Sequence, residues 1–105
     1  GGTLPYLAGR VDFEYTKPWA LATQLDEPPS AYLRRFYTDT VCQNPAALRL
    51  ALDFYGPERV LFSSDYPYWY PSAELELVRT TVGAGDLAAV LGGNARRLLG
   101  LPAGR

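Results

Sequence analysis

This chain has no histidine, no methionine and one cysteine among its 105 residues. Without histidine it cannot by itself assemble a histidine-rich zinc site, a Ser-His-Asp triad or a Cys-His pair, and one thiol rules out a cysteine-rich metal site as well. Any such chemistry has to borrow residues from elsewhere. Cys42 also excludes an internal disulfide framework, fits a reducing, cytoplasmic compartment, and reads as a small buried hydrophobe. The missing methionine suggests a truncated chain. Long apolar runs are missing too: none approaches the roughly 20 residues that span a bilayer, and no basic opening followed by an apolar core marks a secretion signal. Ten basic and eleven acidic residues, scattered without blocks, leave a formal net charge of -1. Neither nucleic acid nor a membrane surface is therefore an expected partner.

What is present is an apolar content of 48%, enough for a modest core. Residues 1–105 read as one unit, with no repeat and no interior linker, and are short for a barrel of roughly 250 residues. Thr3 and Pro5 open a helix whose Leu4, Leu7, Ala8, Val11 and Tyr15 share a face, while Arg10, Asp12 and Glu14 point elsewhere. Pro18 interrupts it, with a kink or restart expected around Trp19 to Ala22. Ser30 is placed to cap a short helix through Arg35, and Phe36 to Val41 has the β-branched and aromatic make-up of a strand. Asn44-Pro45 starts a helix with Leu48, Ala51, Leu52 and Tyr55 inward, which Gly56-Pro57 ends. Ser72 is the expected cap of a further helix, with Glu74 and Glu76 near its positive end and Leu75, Val78 and Val82 facing the core. Short helices from Asp86 and Asn94, separated by Gly92-Gly93, lead into a Gly- and Pro-containing tail.

The chain is organised around Arg59-Val60-Leu61-Phe62-Ser63-Ser64-Asp65-Tyr66-Pro67. A run of consecutive apolar residues stops at small polar residues and one carboxylate, as in a strand buried on both faces of a parallel sheet. Two strands joined by helical crossovers make an α/β fold with parallel neighbours, and such a pair cannot cover its own faces, so the sheet needs strands from elsewhere. In α/β folds, functional groups gather at the carboxyl ends of the strands, where Asp65 stands. The bland alternative is an ordinary turn in which Asp65 bonds nearby amides.

Four stretches occur together and in order: the opening Gly1 to Tyr6 with Gly9-Arg10, then Tyr37-Thr38-Asp39-Thr40, Leu61 to Pro67, and Gly93-Asn94-Ala95-Arg96-Arg97-Leu98-Leu99. In this the chain resembles the amidohydrolase-related family of metal-dependent TIM-barrel hydrolases and decarboxylases, over nearly its whole length. The resemblance implies the C-terminal part of a (β/α)8 barrel holding its last two parallel strands. It also implies a divalent metal, expected to be zinc, bound by histidines absent from this chain and by an aspartate that falls on Asp65. Ser63 stands where the family usually has glycine.

The expected roles follow. Asp65 is the metal-associated and catalytic carboxylate, since its oxygens can bind a hard cation and also accept a proton. Arg10 matches an arginine that, in the decarboxylase branch, looks toward a substrate carboxylate across a dimer interface; a solvated helix arginine is the equal alternative. A homodimer is thus among the expected assemblies. Tyr66 and Trp69, with Tyr68 and Tyr70, wall a pocket for a planar acid or pack on missing barrel loops. Asp39 reads as a structural carboxylate, and Arg96 and Arg97 as solvated. The expected function is hydrolysis or decarboxylation of a small carboxylated or aromatic substrate by the complete barrel, with this chain inactive alone. The rival is a non-catalytic α/β remnant or interaction module.

Overall fold

The computed structural model describes residues 2–20 and 24–102. Part of the restart expected around Trp19 to Ala22, and the last residues of the tail, lie outside them. The elements run α1 (Leu4–Tyr15), α2 (Pro29–Leu33), β1 (Thr38–Asp39), α3 (Pro45–Tyr55), a 3-10 turn (Pro57–Arg59), β2 (Val60–Leu61), α4 (Pro71–Thr81), a wide turn (Ala89–Gly93) and α5 (Asn94–Leu99). The fold is α/β, and the two strands pair in parallel with Thr38 opposite Val60 and Asp39 opposite Leu61. Both expected strands are shorter than their sequence pattern. Backbone counts as a strand only where a partner accepts and donates, and each has one partner here. Phe36 and Tyr37, 52% and 43% exposed, precede the ladder, which begins at Thr38.

Several expected caps are replaced by other devices. Asn44 does cap α3, its Oδ1 accepting from the amides of Ala46 (2.9 Å) and Ala47 (3.3 Å). Thr3 sits at the N-cap of α1 without a side-chain bond. α4 begins at Pro71, with Tyr70 rather than Ser72 at the cap position. Ser30 lies inside α2, which starts at Pro29, and its cap comes from α1: the Ser30 amide and hydroxyl donate to the two Asp12 carboxylate oxygens at 2.8 and 2.6 Å. Those two bonds hold the Asp12 carboxyl below its ordinary range.

Two apolar clusters divide the molecule. Ala8, Ala51, Phe54 and Tyr55, with Leu33 against them, join α1 and α2 to α3. The Arg34 Nη1 donates to the Phe54 carbonyl at 2.9 Å with its guanidinium 4.3 Å from the Phe54 ring centre, which ties the residue after α2 to the same helix. Leu48, Val60, Val78, Val82 and Val90 form the second cluster around β2. A chain of this length folded as a compact domain has a radius of gyration of about 13 Å. The observed 15.9 Å, with extents of 53 × 29 × 27 Å, describes an elongated molecule instead.

Asn94 secures the start of β2. It is fully buried, and rather than capping α5 its Nδ2 donates to the carbonyls of Pro57 (2.7 Å) and Val60 (2.8 Å). Arg97, expected to be solvated, donates to the Glu58 carbonyl at 2.9 Å and to the Asn94 Oδ1 at 3.0 Å. The backbone reaches this position by leaving helical geometry at Gly92 (φ 179°, ψ -23°), where the glycine pair was expected to separate two helices. Asn94→Ala takes a donor from both carbonyls, of which Pro57 keeps the Val60 amide, and should cost about 2 kcal/mol, since unsatisfied buried acceptors are costly. Urea unfolding checks this, and an unmoved midpoint contradicts it.

Candidate active site

Parallel pairing puts the carboxyl ends of β1 and β2 on one edge, and the chain leaves that edge in two turns. The first runs from Asp39 to Asn44. The Val41 amide donates to Asp39 Oδ1 at 2.9 Å, which gives this carboxylate the structural role expected of it. Gln43 takes a positive φ of 48°. The second turn carries Asp65, also at positive φ (57°), a conformation that aspartate tolerates better than most residues. The Asp65 carbonyl accepts from the amides of Tyr68 (2.9 Å) and Trp69 (3.4 Å), main-chain bonds that close the turn. The side chain of Asp65 is exposed at the strand end.

Around it the aromatic loop opens to solvent. Tyr66 is 72% and Trp69 48% exposed, so neither walls a closed pocket within this chain. Arg10 lies on α1, in a groove of about 440 Å³ lined among the described residues by Leu7, Arg10, Val11 and Glu14. α1 rests through Ala8 on the Ala51–Phe54–Tyr55 cluster, whereas Asp65 leaves a strand seated in the valine-rich one. Arg10 and Asp65 therefore hang from different parts of the core. Among the described residues no three or more of His, Cys, Asp and Glu converge as metal ligands. The described residues do not fit a complete metal centre, and Asp65 offers one carboxylate.

The sequence reading missed what stands behind the strand ends. Thr40 is fully buried, and its hydroxyl donates to the Ser63 carbonyl at 3.0 Å while accepting from the Ser63 amide at 3.1 Å. Glu74, expected near the positive end of the helix dipole, is also fully buried. Its Oε2 accepts from Gln43 Nε2 at 2.6 Å, and its Oε1 has no hydrogen-bond partner among the described residues. Burial raises the Glu74 pKa, the Asp39 charge adds to the rise, and the Thr40 hydroxyl opposes it. The signal was in the spacing: Glu74, Val78 and Val82 are four apart and share one helix face.

A group with a raised folded-state pKa stabilises most where it is protonated in both states, and that contribution is lost as pH climbs through the folded value. Glu74→Gln should thus gain on the parent chain as pH rises from about 4, the ordinary glutamate range, through the raised folded value, and gain no more above it. Paired urea midpoints across that range test this. A difference that stays constant with pH contradicts it.

Set beside known proteins, residues 3–101 match the family model described as amidohydrolase. The 2-amino-3-carboxymuconate-6-semialdehyde decarboxylase of Dictyostelium discoideum is 28% identical over 96% of this chain and 29% of its own length. The 6-methylsalicylic acid decarboxylase of Penicillium expansum is 41% identical over 64% of this chain and 21% of its own. The crystal structure of 5-carboxyvanillate decarboxylase from Sphingomonas paucimobilis superposes with a TM-score of 0.77 at 33% identity, covering 91% of this chain and 30% of that one. This chain thus spans less than a third of the length of each of these relatives. Among the described residues no helix is long and apolar enough to cross a membrane.

Proposed function

The chain belongs to the amidohydrolase family, and from that premise we propose that it is the C-terminal portion of a TIM-barrel decarboxylase, holding the last two strands of the barrel. Asp65 is its catalytic carboxylate. The observation that carries this reading is the presentation of Asp65, in left-handed backbone geometry, at the carboxyl end of the second of two parallel strands. The relatives matching this stretch are named as decarboxylases of small carboxylated compounds, which favours decarboxylation over hydrolysis. The barrel's other strands are the chain's first partner, and without them the chain is inactive.

Decarboxylation breaks a carbon–carbon bond, releases carbon dioxide and leaves an electron pair on carbon that has to take up a proton. An exposed carboxyl group at the barrel mouth is suited to give up and take back that proton at its oxygen. A divalent metal, zinc by the family resemblance, would draw its remaining ligands from outside this chain, with Asp65 contributing oxygen. The Arg10 guanidinium supplies a fork for the substrate carboxylate, presented by the partner copy in a homodimer, and the Tyr66 and Trp69 rings offer flat walls to a planar acid once neighbouring loops close over them.

Activity is testable by grafting residues 1–105 in place of the matching segment of the Sphingomonas decarboxylase. Asp65→Asn keeps shape and removes the proton-carrying oxygen, so turnover should fall about 10²-fold or more. Asp39→Asn, at a carboxylate already engaged by the Val41 amide, should cost much less. Near-parental turnover in the Asp65 variant together with loss in the Asp39 variant would reverse the two roles.

For Arg10→Lys, the charge survives and the fork does not. KM for a carboxylated substrate should rise about tenfold with bound metal unchanged. Kinetics unchanged across several carboxylated substrates would return Arg10 to the solvated face of α1.

A further inference from the structure

The Asp65 side chain stands exposed at the end of its strand, so its aim depends on the backbone that delivers it. The ties on that backbone can be followed along the chain. The Leu61 carbonyl accepts from the Thr40 amide at 3.1 Å, and the Phe62 amide donates to the Val90 carbonyl at 3.0 Å. At Ser63 the ladder has ended. There the amide and the carbonyl are both held by one atom, the Thr40 Oγ1. Beyond Asp65, the amides of Tyr68 and Trp69 close the turn from the other side. The Thr40 hydroxyl is therefore the last link from the core before Asp65.

We propose that Thr40 is a positioning residue for Asp65: its buried hydroxyl replaces the missing ladder bonds at Ser63 and fixes the direction in which the strand hands over the carboxylate. The placement is closely determined. A hydroxyl has one proton and two lone pairs, so it can donate to a carbonyl and accept from the amide of the same residue, which no apolar side chain of equal size can do. Thr40 has no exposed surface. Behind it, the Gln43–Glu74 bond ties the turn after β1 to the first part of α4, which limits how far Thr40 can retreat. The proposal rests on the reading of Asp65 as the catalytic carboxylate, and its two parts are tested separately.

The first arm uses the 105-residue chain, labelled for NMR. Thr40→Ser keeps the hydroxyl and should leave Ser63 amide exchange within a factor of about two of the parent. Thr40→Val keeps the shape and should speed Ser63 exchange about tenfold or more and shift the Asp65 and Tyr68 amide resonances, while the Val78 and Val90 signals stay put. Unchanged Ser63 exchange in the valine variant, or equal loss in both variants, overturns the tie. Should the valine variant fail to fold, the serine variant decides: fast exchange there overturns the proposal, and protected exchange supports it.

The second arm uses the grafted barrel. Thr40→Val should lower kcat about tenfold or more with KM and bound metal near the parental values, and Thr40→Ser should restore kcat. Parental kcat in the valine variant overturns the positioning role. If Asp65→Asn itself leaves turnover unchanged, the reading of Asp65 fails, and the positioning role falls with it while the Thr40–Ser63 tie stands or falls on the first arm.

Discussion

A parallel ladder of two residues on each side, Thr38–Asp39 against Val60–Leu61, is too small to hold itself, and the rest of the structure follows from that constraint. Two strands cannot bury both faces or satisfy both edges. The molecule meets this with side chains standing in for absent strands: Asn94 takes up the carbonyls of Pro57 and Val60 at one end of β2, and Thr40 takes up Ser63 at the other. Between them Val60 sits fully buried among Leu48, Val78 and Val90. Asp65 follows the strand that these side chains hold.

The same constraint accounts for what was legible in the sequence. α3 could be read because its signals are local: an Asn-Pro start, a helical apolar face and a Gly-Pro stop. The parallel pairing could be read because crossover length and handedness follow from the order of elements. Asp65 could be placed at a strand end because Tyr66-Pro67 punctuates the run. What stayed hidden are long-range polar bonds. Nothing near Asp12 in sequence says that it caps a helix at Ser30, and nothing near Asn94 says that it serves β2 rather than its own helix. Glu74 was hidden for another reason: a charged residue in a first turn is usually a dipole partner at the surface, and here the four-residue spacing to Val78 outweighs that tendency.

The exposure of the site is the structural counterpart of the family match. Tyr66, Trp69 and Asp65 are exposed in a chain that covers less than a third of its relatives' length. A buried, partly unsatisfied carboxyl at Glu74 and left-handed backbone at Gln43 and Asp65 are costly local features, and they cluster at the strand ends. The opposite end of the ladder, held by Asn94, carries no left-handed non-glycine backbone among the described residues, though the Arg59 Nε there is buried without a hydrogen-bond partner.

The central claim is that this chain carries one share of a metal-dependent site whose other share lies on strands outside it. The most direct measurement is bound divalent metal, by elemental analysis after dialysis against a weak chelator, on the chain alone and on the grafted barrel. The account predicts no retained metal on the chain, which offers no converging set of ligands among its described residues, and about one ion per barrel in the graft. Stoichiometric metal held by the chain alone would contradict it.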